Sequence, residues 1–314
     1  MKIALAGQGA FGIRHLEAIR NIPDIEVVSL TGGRPAGTKQ VAEQFNIPHW
    51  TTNLEETLSQ PGLDAVILAS PTQVHADQAE QVMRAGKHVL IEIPIADSAA
   101  DAERLLAVQK ETGVVAMAGH VRRFNPSHQW VHKRIESNQL TIQQMDVQTY
   151  FFRRSNMNAA GQPRTWTDHL LWHHACHTVD LFIHQTGETP VVEHAIQGPI
   201  HPELGIAMDM SIQVKVPSGA ILTLSLSFNN DGPFGSFFRY ICDNGTYKAL
   251  YDDLVDGSDK PIDVSQVDVS TNGIELEDRE FFAAIREGRQ PRSSVADVMP
   301  AMRTLGRLEQ QLQA

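Results

Sequence analysis

Short apolar runs and segments with helical spacing alternate through the first third of the chain. "KIALAG", "IEVVSLTG", "DAVILAS", "HVLIEIP" and "VVAMAGH" are strand-like runs. Between them, "FGIRHLEAIRNI", "GTKQVAEQF", "HADQAEQVMRAG" and "DAERLLAVQKETG" place apolar residues on one helical face. Such alternation predicts crossover units and a parallel, doubly wound α/β sheet. The pattern changes after about residue 121. "RFNPSHQWVHKRIESNQL" predicts a helix, and "IQQMDVQTYFF", "AMDMSIQVKV", "GAILTLSLSFNN" and "SFFRYICDNGTYKALY" predict strands joined by turns. Leu222, Leu224, Leu226 and Phe228 alternate with Thr223, Ser225 and Ser227. That period of two belongs to a sheet with two unlike faces. "DREFFAAIREG" and "VADVMPAMRTLGRLEQQL" close the chain as helices. Two domains are expected, 1–121 and 122–314. The second is α+β with an open, mainly antiparallel sheet, and its last helices are free to pack back on the first. A ligand site is expected where the two meet.

The first strand runs into Gly7-Gln8-Gly9-Ala10-Phe11-Gly12, and a helix follows. Glycines at that spacing, between a strand and a helix of a crossover unit, suit a dinucleotide pyrophosphate. They permit the tight turn and close backbone approach, and the helix N-terminus favours the anion. The expectation for residues 1–121 is therefore a Rossmann domain. An NAD site usually places an acid at the end of the second strand, about 20 residues beyond the glycines, for the ribose 2′-hydroxyl. Here that strand ends in Thr31, Gly32 and Gly33, with Arg34 and Lys39 following. The missing acid and the nearby cations favour a 2′-phosphate, hence NADP, with NAD bound at lower affinity.

Composition narrows the partners. At 314 residues the chain exceeds what one core usually supports. A net charge of -11 argues against nucleic acid and anionic membrane. No apolar run approaches the length of a membrane span. Cys176 and Cys242 form no CxxC pair, so a reducing, cytoplasmic setting is expected.

Motifs along the whole chain resemble the Gfo/Idh/MocA oxidoreductase family. They are "ALAGQGAFG", "ASPTQVHADQA", "GKHVLIEIPIA", "GHVRRFNP", "HTVDLF" and "EFFAAIREGRQP". Within the family, "RTWTDHLLWHHACHTVDLF" and "LSLSFNNDGPFGSFFRYICDNGT" resemble a member of aromatic catabolism. That member oxidises a small carboxylated cyclic hemiacetal with NADP. A sugar or polyol dehydrogenase and a non-catalytic NADP-binding sensor are the alternatives. By position, the resemblance assigns Ser70, Pro71, Thr72 and His75 to the nicotinamide-ribose loop, and Glu92 and Pro94 to the family's Glu-Lys-Pro. Ile93 stands where the family has lysine. His177 matches the family histidine, and His173 takes the place of an aspartate. The resemblance also implies a homodimer or higher homo-oligomer built on the open sheet.

Four histidines fall between His169 and His177. On an α-helix His169, His173 and His177 form one stripe, with its ends about 12 Å apart. One zinc ion, with nitrogens at about 2.1 Å, does not span that distance, so no metal is expected. Proton transfer is the expected role, His177 first and His173 second, since imidazole exchanges a proton near neutral pH. Asp180, one turn on, either orients His177 or makes a structural hydrogen bond. An anionic substrate needs cations. Arg122, Arg123, Arg153 or Arg154, and Arg164 are the candidates, with His120, Trp166, His169 and His201 as further pocket residues.

Overall fold

The structure is a computed structural model that describes residues 1–157, 161, 163–164, 167–269 and 273–313. Trp166 lies outside them. The chain divides into two compact units, Met1–His120 with Ile274–Met299, and Val121–Gly273 with Pro300–Ala314.

Unit 1 begins β1 (Lys2–Ala6), α1 (Ala10–Ile19), β2 (Glu26–Thr31), α2 (Pro35–Phe45), β3 (His49–Thr51) and α3 (Leu54–Leu58). It continues with β4 (Ala65–Leu68), α4 (His75–Arg84), β5 (His88–Glu92), α5 (Ala99–Thr112) and β6 (Ala116–Gly119). Among the described residues these strands form a parallel sheet in the order β3-β2-β1-β4-β5-β6. The order reverses between β1 and β4, and ligands of such sheets bind at the strand ends there. Every residue of β4 is buried, as the central strand of a doubly covered parallel sheet requires. In α4 the buried His75, Ala76, Ala79, Val82 and Met83 form the inward stripe. The sequence pattern did not announce β3 and α3. Three strand residues carry too little periodicity, and only Asn53, whose side chain caps α3, marks that helix.

Unit 2 contains α6 (Pro126–Glu136), β7 (Ile142–Tyr150), α7 (Cys176–Thr186), β8 (Val192–Gln197), β9 (Asp209–Lys215) and β10 (Ile221–Ser227). A hairpin follows, β11 (Gly235–Cys242) with β12 (Gly245–Leu250), and then β13 (Asp253–Asp256). The sheet order is β13-β12-β11-β7-β10-β9-β8. It is antiparallel except where β7 runs parallel to β10. Leu222, Leu224 and Leu226 are buried on one face, with α7 packed on β7 and α6 on β12 and β13. Burying each leucine contributes about 1.5–3 kcal/mol.

The chain then returns to unit 1 in α8 (Ile274–Glu287), which packs on α1, and ends in α9 (Val295–Gln313). Among the described residues no helix is long and apolar enough to cross a membrane.

Candidate active site

The glycine loop is built as the sequence pattern requires. Gly7 has φ +124, and a Cβ there would lie 2.2 Å from the Ala69 carbonyl oxygen, so the loops after β1 and β4 touch. A Cβ on Gly12 would lie 1.8 Å from the Gly7 carbonyl oxygen. At Gly9, the N-cap of α1, a Cβ would meet nothing within 4 Å. Gly9, Ala10 and Phe11 are exposed. The open backbone at a helix N-terminus fits a pyrophosphate. The Gln8 amide oxygen accepts from the Gly33 N–H at 3.0 Å, tying this loop to the end of β2. Gly32 is packed against Gln8 and Thr38. Thr31 is turned inward, its hydroxyl 2.6 Å from that of Thr57. Arg34 is exposed at the N-cap of α2. The ammonium of Lys39 lies 3.8 Å from Glu43 on the solvent side.

His75 ties the loop after β4 to the loop after β5. Its ring nitrogens lie 2.8 Å from the Ser70 carbonyl oxygen and 2.9 Å from that of Pro94. Burial pushes its pKa below the ordinary histidine range. Thr72 is buried in the same turn and Pro71 is exposed. The Ser70 hydroxyl donates to Gln78 at 2.5 Å.

Glu92 departs from expectation. Its carboxylate faces inward, accepting from His15 Nε2 at 2.9 Å and from the Ile93 N–H at 3.2 Å. The other nitrogen of His15 lies 2.8 Å from Asp278 on α8. Burial opposes a charge on His15, but Asp278 and Glu92 outweigh it and hold its pKa well above the ordinary range. Glu277 completes the cluster. It is fully buried, neither carboxylate oxygen has a hydrogen-bond partner among the described residues, and burial with the Glu92 charge pushes its pKa well up. Ligand atoms of His15, Glu92 and Glu277 lie within 4.8 Å of one another. The facing carboxylates favour the proton-bearing form of His15, and burial favours that of Glu277. No local signal marks it, because His15 and Asp278 are 263 residues apart.

In unit 2 the histidine segment is not one continuous α-helix. Leu170–Ala175 is a π-helical turn with His169 as its N-cap, and α7 follows from Cys176. The expected four-residue stripe is therefore interrupted. Single π turns often occur at functional positions. His173, His174 and His177 are partly exposed, while Leu171, Trp172, Ala175, Cys176 and Thr178 around them are buried. His169 Nδ1 accepts from the Trp172 N–H at 3.5 Å, and His173 Nδ1 accepts from the His169 N–H at 3.2 Å. A neutral imidazole has one accepting nitrogen. The lone pair that would make His173 a base is thus engaged by backbone.

Two of the candidates meet each other. Asp180 pairs with Arg123 at 2.8 and 2.6 Å, both side chains buried. This ion pair is a structural contact of the kind named as one alternative for Asp180. Arg122 is buried with its guanidinium 4.8 Å from the Tyr251 ring, and burial lowers its pKa. Arg153 and Arg164 both meet Asp168, a residue the sequence pattern did not single out, and so does His174 at 3.2 Å. Arg154 turns outward to the Phe152 ring. His201 Nδ1 accepts from the Glu203 and Leu204 N–H groups, which caps a turn. In unit 1, His120 is buried just beyond β6.

Comparison with known proteins places this architecture. Residues 1–120 match the family described as "Oxidoreductase family, NAD-binding Rossmann fold", and residues 126–268 match "Bacterial oxidoreductases, C-terminal". The chain is 63% identical over 313 residues to 4-carboxy-2-hydroxymuconate-6-semialdehyde dehydrogenase of Sphingobium sp. strain SYK-6, covering 100% of this chain and 99% of that one. This chain belongs to the Gfo/Idh/MocA family of oxidoreductases. Another relative, scyllo-inositol 2-dehydrogenase (NAD(+)) of Bacillus subtilis, is 29% identical over 45% of this chain and 41% of its own. The structure of levoglucosan dehydrogenase in complex with NADH shares the fold, with a TM-score of 0.87 at 18% identity over 100% of this chain and 97% of that one.

Proposed function

We propose that the protein is an NADP-dependent dehydrogenase acting on the cyclic hemiacetal of 4-carboxy-2-hydroxymuconate-6-semialdehyde. The product is 2-pyrone-4,6-dicarboxylate, and the setting is protocatechuate 4,5-cleavage in the cytoplasm. The identity of 63% across the whole chain carries this reading. Gly7, Gly9 and the N-terminus of α1 would hold the pyrophosphate, and Ser70, Thr72 and Pro94 would line the nicotinamide ribose. When bound, the nicotinamide supplies the hydride acceptor. His177, partly exposed on the first turn of α7, takes the hemiacetal hydroxyl proton as the carbon–hydrogen bond breaks and the ester carbonyl forms. Accumulation of reduced NADP on addition of the semialdehyde tests the reading.

The preference for NADP rests on the end of β2. No acid is present there, the Gly33 N–H is taken by Gln8, and Arg34 stands exposed where α2 begins. A guanidinium beside a helix N-terminus suits a 2′-phosphate. Losing a charge-assisted contact costs about 1.5–3 kcal/mol. Arg34→Ala is expected to raise the Michaelis constant for NADP by about one to two decades and to leave that for NAD nearly unchanged. Steady-state kinetics with both cofactors check this, and an equal loss with both refutes it.

Assembly follows from the second face of the unit 2 sheet. Val192, Ile196 and Ile221 are 57%, 60% and 41% exposed on it, in register with Lys215 and Ser211 of β9. We expect a second copy to cover this face, giving at least a homodimer. Light scattering that returns a monomer mass at every concentration would rule that out.

A further inference from the structure

We propose that Gln8 is a specificity-determining residue for the cofactor: its side-chain amide stands where an NAD site has an acid, and it donates to a 2′-phosphate. The inference deepens the NADP reading above and rests on it.

The end of β2 is held from both sides. The Gly7 N–H donates to the Thr31 carbonyl oxygen at 2.8 Å, and the Gly32 N–H donates to that of Thr51 at 3.0 Å. Gly32 lies about 20 residues beyond Gly12, the spacing at which an NAD site places its acid. A Cβ on Gly32 would lie 2.1 Å from Thr38 Oγ1 and 2.5 Å from Gln8 Oε1. Thr38 is buried, and its hydroxyl donates to the Arg34 carbonyl oxygen at 2.7 Å. Gly32 does not have a left-handed φ, so space and not backbone conformation reserves its position for glycine. An acid at residue 32 would have to displace both Thr38 and Gln8.

Gln8 fills that place with the opposite chemistry. The Gly33 N–H only donates, so the amide oxygen of Gln8 faces it, at 3.0 Å. The NH2 group of the same amide is left as a donor. Among the described residues it makes no hydrogen bond. The neighbouring backbone is open: Gly33 is exposed, and a Cβ on it would meet nothing within 4 Å. Arg34 follows directly and is exposed. An acid accepts from a ribose 2′-hydroxyl and repels a phosphate. An amide NH2 donates to a phosphate and brings no negative charge against it. By sequence Gln8 belongs only to the pyrophosphate loop, since its bond to Gly33 spans 25 residues.

The probes are adenosine 2′,5′-bisphosphate and 5′-AMP, which differ only in the 2′-phosphate. Each is titrated calorimetrically into the full-length protein. Wild type is expected to bind the bisphosphate about tenfold or more tightly than 5′-AMP. Gln8→Glu keeps the size and the acceptor for the Gly33 N–H, but exchanges the donor for a negative charge. It is expected to raise Kd for the bisphosphate about a hundred-fold and to bind 5′-AMP as well as wild type or better. Gln8→Ala removes the donor without adding charge, and is expected to raise Kd for the bisphosphate about tenfold with 5′-AMP unchanged. Retained 5′-AMP binding shows that the variants are folded. An equal loss of both nucleotides, or wild-type preference in both variants, would overturn the inference. Arg34→Ala separates it from the reading beneath it. Preference lost in Arg34→Ala but kept in both Gln8 variants would leave the NADP reading standing and sink the role of Gln8. Equal binding of the two nucleotides by wild type would sink the NADP reading itself, and the role of Gln8 with it.

Discussion

His177→Asn lowers turnover by about 10²–10⁴-fold and removes the low-pH limb of the activity profile. Three observations lead to this expectation. Ile93, where the resemblance implies the family's lysine, neither accepts nor relays a proton. His173 Nδ1 accepts from the His169 N–H, so that ring's accepting nitrogen is occupied. His174 points its Nε2 at Asp168. The proposed base is His177, partly exposed on a segment whose neighbours are buried. A hemiacetal hydroxyl is more acidic than a simple alcohol, and its oxidation yields an ester, so a neutral imidazole is a sufficient base. Asparagine keeps the size and a hydrogen bond but carries no titrating lone pair. In wild type, activity should rise with pH as the imidazole loses its proton. His173→Asn should affect turnover less. Profiles of kcat and kcat/KM for both variants check the order. If His177→Asn keeps wild-type turnover and pH dependence, the base assignment is wrong. Chelator should leave activity unchanged, and loss restored by zinc would point to a metal instead.

His15→Ala should destabilise the protein by about 3–5 kcal/mol, the usual cost of removing one partner from a buried charge cluster. The ring is fully buried between Glu92 and Asp278, and its loss leaves their carboxylates facing each other and Glu277 without a cation. The pH dependence has a definite sign. His15 has a folded-state pKa well above its ordinary value, so its contribution is complete below that ordinary value and is lost as pH rises through the folded one. Glu277 is also raised, so folding favours its protonated form, and that contribution too falls as pH rises. Wild type should therefore lose stability from neutral toward alkaline pH. Glu277→Gln removes one titrating proton and should flatten the slope, being more stable than wild type at the alkaline end. Urea midpoints across pH for the three proteins check this. A His15→Ala protein as stable as wild type, or a Glu277→Gln slope matching wild type, would contradict the cluster's role.

What could be read from the chain was whatever repeats locally. The apolar runs at β1, β2, β4, β5 and β6 have helical segments between them, so the parallel sheet followed from periodicity. The leucines of β10 alternate, so its buried face did too. The glycine loop was legible because strand, glycines and helix are contiguous. Long-range pairings were not. His15 reaches Glu92 across 77 residues and Asp278 across 263, and Arg123 reaches Asp180 across 57. Nothing local to either partner announces the other. The histidine stripe failed for another reason. It assumed an α-helical period, and the π turn at Leu170–Ala175 shifts the facing of every residue after it.

The most direct measurement follows reduced-nicotinamide absorbance after the ring-cleavage product of protocatechuate, 4-carboxy-2-hydroxymuconate-6-semialdehyde, is added to the protein with NADP, with NAD, or with neither. One equivalent of reduced cofactor should form per semialdehyde consumed, with 2-pyrone-4,6-dicarboxylate as the product, and NADP should be used at lower concentration than NAD. No reduction of either cofactor by the semialdehyde, with reduction on addition of an inositol or sugar instead, would contradict the account.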